Sequence, residues 1–415
     1  MNKSKGRYLL VVIGCALFTA ILRFASNSIG LLFAAIIGER GAFTVTDSSL
    51  FWTVRMLVNA LTAPFVTSLF LKTSHKRFLL FLTVIASGCF LPMFLYSSPW
   101  MWMISAFLLG TCNAGQVIIL SAILGNWFKV GTGTLLGICN AIAGIASALL
   151  CPLISSVIKA ASWKAASFTV GVMILVSMLL AALILIPETP ELVGLKAYEG
   201  NEAKKKTVSD DQPAKREDPL ERDRIRSDSA AFRYLIIFIV VLSGVMCAQL
   251  CNHMPTYAGD RGFDLSFGAM LTSINSIVSM IAYLIIGYLC DRIGSWKAVM
   301  ILFLLMGFSM LAPMLTGYSA TGLIIASAGL GLSACPFGIF LPRLTESSFK
   351  DQFEKAFGKL TLWVNLIGTI FVYMVGVIYK SRAGFPLAFI LCAAVCVITL
   401  AVAVLAQVTG KRRSA

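Results

Sequence analysis

Three ionisable side chains fall inside long apolar runs of this sequence: Arg23, Arg55 and His253. A charge within a bilayer is costly, so each is a candidate for function before it is a candidate for packing. Two of the three are guanidinium groups, which stay protonated and present a planar fork of donors matching a carboxylate. Each has an amide four residues on, Asn27 after Arg23 and Asn59 after Arg55, and therefore on the same helix face. Arg23 lies about 15 residues into its run, roughly 22 Å along a helix and so near mid-bilayer. No Asp or Glu lies deep in any apolar run. Outside a charged central stretch the acids are Glu39, Asp47, Asp260, Asp264, Asp291, Glu346, Asp351 and Glu354, all at ends or in loops. Two cations in neutral polar surroundings attract a small anion. A carrier of cations, or one driven by a buried proton-binding carboxylate, would need an acid that the runs do not contain.

Each of these residues also has a plainer reading. Arg55 is about six residues from the outer end of its run, within reach of the interface by snorkelling. Arg23 is too deep for that, but a carbonyl or a helix junction would also hold it. His253 reads either as a neutral packing residue near the outer mouth or as a substrate or proton-coupling contact. Gln249, Asn275, Asn113, Gln116, Asn140 and Asn365 either line a cavity or hydrogen-bond between helices. Pro64, Pro92, Pro152, Pro255, Pro313 and Pro336 lack a backbone donor and are expected to kink the helices that hold them.

The elements that must position these groups follow from composition. Of 415 residues, 58% are hydrophobic and 13% charged, with a mean hydropathy of +0.87. Those proportions exclude a water-soluble enzyme, a disordered chain or a nucleic-acid-binding domain as a reading of the whole chain. Apolar runs at 8–37, 50–71, 78–97, 100–124, 133–158, 165–186, 233–258, 266–289, 298–317, 320–341, 359–379 and 384–408 are long enough to cross a bilayer as helices. The expected fold is an all-α membrane protein of 12 transmembrane helices in two six-helix bundles, 1–187 and 232–415. A charged linker at 188–231 joins them and is expected to be solvated. The start resembles a signal peptide, yet its apolar run is too long for one and no A-x-A cleavage site interrupts it, so it reads as the first span.

The net charge of +15 is mostly topology. The stretch 188–228 carries 11 acidic and nine basic residues, so the positive excess lies in short loops. One set of loops holds sixteen Lys and Arg, among them Lys3, Lys76, Arg77, Lys129, Arg292, Lys297, Arg343 and Lys411. The opposite set holds six: Arg40, Lys159, Lys164, Arg261, Lys380 and Arg382. The bias puts the N- and C-termini and the linker in the cytoplasm. All eleven cysteines sit in apolar runs without metal-ligand company and read as small buried hydrophobes. The halves also align weakly, pairing Arg23 with Gln249 and Asn27 with His253, as in transporters built from repeated bundles.

Between spans eight and nine stand Gly287, Asp291, Arg292, Gly294 and Lys297 in the spacing G-x-x-x-D-R-x-G-x-x-K. This resembles the loop signature of the major facilitator superfamily. The matching first-half loop keeps Lys72, Lys76 and Arg77 but has Thr67 and Leu71 in place of Gly and Asp. Trp127, Phe128, Lys129, Gly137, Ala143, Gly144, Pro152, Trp163 and Lys164 are similar to the span four-to-six region of bacterial monocarboxylate-porter and oxalate/formate-type carriers. Ser49, Trp52 and Pro64, and the segment Pro190 to Tyr198, point the same way. The resemblance implies the major facilitator fold, an alternating-access carrier, and a gate in which Asp291 engages a helix N-terminus or a basic residue in one access state. The Asp/Arg pair that monocarboxylate porters carry in span eight is missing, as are the basic residues of spans eight and eleven in the oxalate type.

The expectation is therefore a secondary carrier for a small organic anion, a mono- or dicarboxylate, in the bacterial cytoplasmic (inner) membrane. It is expected to act as a monomer with no nucleic-acid partner. Without a Walker A loop, catalytic triad or cofactor motif, neither an enzyme nor a cofactor is expected. Uniport, exchange against a counter-anion and proton symport stay open, as does direction. An efflux carrier for amphipathic compounds is the rival reading, and a non-transporting nutrient sensor on a carrier scaffold is a more distant one.

Overall fold

The computed structural model describes residues 3–38, 43–96, 98–128, 132–184, 190–193, 195, 197–198, 223, 225, 229–349, 352–380 and 384–412. Most of the linker, and the loop charges Arg40, Lys129, Lys350, Arg382 and Arg413, lie outside the described residues. The first half forms α1 (Lys3–Gly38), α2 (Val45–Lys72), α3 (His75–Phe90), α4 (Pro99–Trp127), α5 (Thr132–Ala160) and α6 (Trp163–Ile184). The second half forms α7 (Ala230–Cys251), α8 (Met254–Asp260), α9 (Leu265–Ile293), α10 (Ser295–Leu315), α11 (Ala320–Leu332), α12 (Leu341–Ser348), α13 (Phe353–Lys380) and α14 (Gly384–Arg412). A bilayer core offers backbone groups no water, so a spanning segment must satisfy them within its own helix. Among the described residues, eleven helical segments are long and apolar enough to cross, and the remaining expected span is α4, 29 residues long. The fold is thus the all-α, twelve-span membrane architecture in two bundles. Hydroxyls within the spans follow the same rule: Thr19 donates to the Cys15 carbonyl (2.8 Å), Thr62 to Val58 (2.7 Å) and Ser243 to Ile239 (2.7 Å).

The prolines divide into two groups. Pro64, Pro152 and Pro313 sit inside continuous helices. At Pro92 the helix tightens into a 3-10 turn over Leu91–Leu95, and before Pro255 span seven breaks into α7 and α8 at Asn252 and His253. At Pro336 span ten opens into a wide turn over Pro336–Phe340 and then continues to Ser348. Span ten is therefore longer than its apolar run, because α12 is amphipathic and buries Leu341, Leu344 and Thr345. The wide turn lies hard against α7, where a Cβ on Gly244 would sit 2.5 Å from Pro336 Cβ, so only glycine fits there.

The chain groups into two compact units, residues 1–32 with 57–216 and residues 33–56 with 217–415. In the first, α3 packs on α4 and α6, and α5 packs on α6. The Tyr198 amide donates to the Trp127 carbonyl (2.9 Å), and the rings of Tyr8, Trp127, Phe128 and Tyr198 cluster with centroids about 6 Å apart. The segment after span six is thereby pinned to the end of span four. In the second unit α10 packs on α11 and α14, α9 on α11, and α7 on α13 and α14. Leu302, Phe303, Met306, Phe389 and Cys396 are fully buried in its core. Large apolar side chains on the opposite faces, such as Leu284, Phe308 and Leu405, are exposed, as suits helices facing lipid.

Candidate functional site

The start of α2 is set by a capping box: Thr44 donates its amide (2.7 Å) and its hydroxyl (2.6 Å) to the Asp47 carboxylate. From there Ser49, Trp52 and Arg55 follow at three-residue intervals along one helix row, with Asn59 one turn further. The Arg55 guanidinium lies 4.5 Å over the Trp52 ring, a cation–π contact that orients the fork. Arg55 is partly buried and Trp52 is almost wholly so.

His253 sits at the break between α7 and α8, 1% exposed, with Nε2 3.3 Å from the Ser49 hydroxyl. Its ring is 6.3 Å from that of Phe385. Close by, the Gln249 amide donates to the Val245 carbonyl (3.2 Å) and lies 3.9 Å from Met56 Sδ. Asn275 on α9 donates to Cys251 Sγ (3.0 Å) and to the Ser327 carbonyl (3.4 Å), tying α9 to α7 and α11. Asn365 donates to the Thr361 carbonyl of its own helix (2.9 Å). Around the start of α2 and the α7–α8 break, the buried atoms Thr46 Oγ1, Trp52 Nε1 and His253 Nδ1 have no hydrogen-bond partner among the described residues. Buried polar atoms are seldom left so, and those that are deserve a ligand or a water.

In the first unit Arg23 and Asn27 are both partly buried on α1. The Asn27 amide donates to Ser147 on α5 (2.7 Å), so the polar face of α1 is held to α5 one turn from Arg23. Asn59, Asn113, Gln116 and Asn140 are partly buried on α2, α4 and α5.

The loop signature forms a second cluster. Gly294 has φ 95 and ψ 153, a backbone region open in practice only to glycine, and it both ends α9 and starts α10. Gly287 is different: a Cβ there would meet nothing within 4 Å. Asp291, exposed at the end of α9, accepts from Arg343 Nη1 on α12 (2.6 Å). The basic partner expected for Asp291 is therefore Arg343. Arg292 lies 5.5 Å over the Tyr288 ring, and Arg292 and Lys297 are exposed.

Arg343 has a second acid that the sequence reading missed. Asp223, in the linker, is 1% exposed and accepts from Arg343 Nε at 3.0 Å. Ile225 beside it is 2% exposed and belongs to the core of the second unit. At these two positions the linker is docked, where the charge pattern suggested solvent. The hint was compositional: Ile225 is the one large apolar residue between Leu220 and Phe232 in an otherwise polar stretch.

The Major Facilitator Superfamily profile matches residues 15–347 and 269–414. No curated protein sequence matches the chain. Among solved structures, a bacterial homologue of the human lysosomal transporter Spinster, inward-facing and unoccupied, is similar with a TM-score of 0.66 at 14% identity, covering 97% of each chain. A point mutant of the nucleoside transporter NupG is similar with a TM-score of 0.68 at 11% identity, covering 95% of this chain and 99% of that one. Identities this low speak for the fold and not for the cargo. With the family profile spanning nearly its whole length and its helices arranged as in those carriers, the chain belongs to the Major Facilitator Superfamily, a family of membrane transporters and not of enzymes.

Proposed function

We propose that the protein is a secondary carrier moving a small organic anion, a mono- or dicarboxylate, across a bacterial cytoplasmic membrane by alternating access. The bundles 1–187 and 232–415 act as its two halves, with both termini and the linker in the cytoplasm. One observation carries the reading: the spans hold two guanidinium groups, Arg23 and Arg55, and no carboxylate deep within them. The orphaned Trp52 Nε1 and His253 Nδ1 add buried polar atoms of the kind a carboxylate or its waters would satisfy. Gln249, Asn275 and the remaining amides supply neutral polar surroundings. The Asp291–Arg343 pair serves as the inner gate. Asp291→Asn and Arg343→Gln should each slow turnover by roughly threefold to tenfold without changing which substrates are carried, as initial uptake rates would report.

A second reading is favoured by one observation. A cavity of about 430 Å³ opens between α7 and α13, lined by Tyr234, Leu235, Phe238, Leu360, Trp363 and Ile367, with Lys359 at its edge. Such a lining suits an amphipathic compound. Counterflow in proteoliposomes against a panel of carboxylates and amphipathic compounds, with and without a pH gradient, separates the two. Saturable counterflow of carboxylates alone is the expected result; counterflow of amphipaths alone would transfer the assignment to the rival.

A further inference from the structure

We infer that Asp223, a linker residue, is the positioning residue of the inner gate, holding Arg343 in aim at Asp291 and capping the helix that the gate loop starts. The inference rests on reading the Asp291 loop as that gate. Three other helices of this unit cap themselves: the side chains of Ser229, Asp264 and Ser319 accept from the first turns of α7, α9 and α11. α10 cannot. Its N-cap position is Gly294, which supplies the positive φ that the turn demands and so has no side chain to offer. The cap comes instead from 72 residues away in sequence. The Asp223 carboxylate accepts from the Ser295 amide (2.7 Å) and from the Ser295 hydroxyl, where the helix dipole favours an anion. The Asp223 main-chain carbonyl accepts from Trp296 Nε1 (3.0 Å) and from the Ser347 hydroxyl (3.4 Å). Ile225 sits in the hydrophobic core two residues on.

The guanidinium of Arg343 is then shared along its edges. Nε donates to Asp223, Nη1 to Asp291, and Nη2 to the Cys290 carbonyl at 3.3 Å. Asp291 is largely in solvent while Asp223 is buried, so the two acids differ in role. The exposed pair is the one that can break as the carrier changes state. The buried pair keeps the guanidinium where Asp291 can find it again. The gate signature in the loop is thus incomplete by itself: Asp223, a residue of the linker, finishes it.

None of the eleven cysteines is in a disulfide, and buried Cys290 offers its main-chain carbonyl to Arg343 in this cluster. The test is peptide-resolved alkylation of the full-length protein in proteoliposomes by N-ethylmaleimide, with buried Cys112 of the first unit as the internal control. Asp223→Asn, which keeps shape and removes charge, should raise the Cys290 rate about tenfold, the factor for losing one charge-assisted hydrogen bond. Cys112 should not change, turnover should fall with KM unchanged, and Asp223→Glu should recover part of both effects. Wild-type Cys290 reactivity in Asp223→Asn, while Arg343→Gln raises it, would overturn the positioning role and spare the gate. Equal increases at Cys290 and Cys112 would also overturn it, by showing general loosening. Wild-type labelling and turnover in Arg343→Gln would remove the gate reading itself.

Discussion

Replacing Arg23 with Gln is expected to lower kcat/KM for the proposed anion by about 30-fold or more. Removing one partner of a desolvated, hydrogen-bonded charge pair costs about 2–5 kcal/mol, and each 1.4 kcal/mol is roughly a factor of ten. Arg23 lies midway along α1 and is partly buried. Its surroundings are also fixed, because Asn27 on the same face is held to Ser147 at 2.7 Å. Arg23→Lys keeps the charge and loses the planar fork, so a loss between wild type and Gln is expected. Counterflow in proteoliposomes gives the rates, and thermal unfolding in detergent gives the control. A variant that melts earlier and transports normally would make Arg23 a helix anchor and end its part in the anion site.

The second large effect belongs to Gly294. Alanine at φ 95, ψ 153 costs about 1–3 kcal/mol in backbone strain alone, enough to lower the melting temperature by several degrees. The change also turns the Ser295 amide away from Asp223, so transport should fall further than the lost stability explains. Gly287→Ala is the matched control. Its new methyl group would meet nothing within 4 Å among the described residues, so unchanged stability or a gain of up to about 1 kcal/mol is expected. The loop signature presents the two glycines as equals; their surroundings do not. Equal melting temperatures for the two alanine variants would contradict the assigned backbone conformation at 294.

The parts of the fold that were legible are those with a local cause. Runs of about 20 apolar residues must be helices in lipid, and Thr44 with Asp47 or Asp264 before α9 mark helix starts in a few letters. Prolines flag a disturbance, but sequence does not say which kind. Pro152 leaves its helix continuous, whereas Pro336 lies at a wide turn because α7 offers Gly244 against it. The candidate site was suggested by chemistry alone, in arginines within apolar runs that hold no acid. It was hidden where partners are distant: His253 meets Ser49 across 204 positions and Arg343 meets Asp223 across 120. Asp223 was the hardest to see. It sits among ten other acids, and besides Ile225 two residues on, the missing cap on α10 is what singles it out.

The docking of Tyr198 in one unit and of Asp223 in the other divides the linker into anchors and spacer. Between them lie 24 residues, 199 to 222. The entropy of closing a loop grows only with the logarithm of its length, so doubling that spacer costs about 0.6 kcal/mol. Insertions there, whether by gene duplication, a grafted recognition sequence or a fluorescent domain, are expected to leave both anchors in place. Deletions that reach either anchor do not. With the gate as proposed, a regulatory cassette gained or lost within 199–222 would leave Asp223 and Tyr198 in the chain, and tolerance of such variation is expected to end at those two residues.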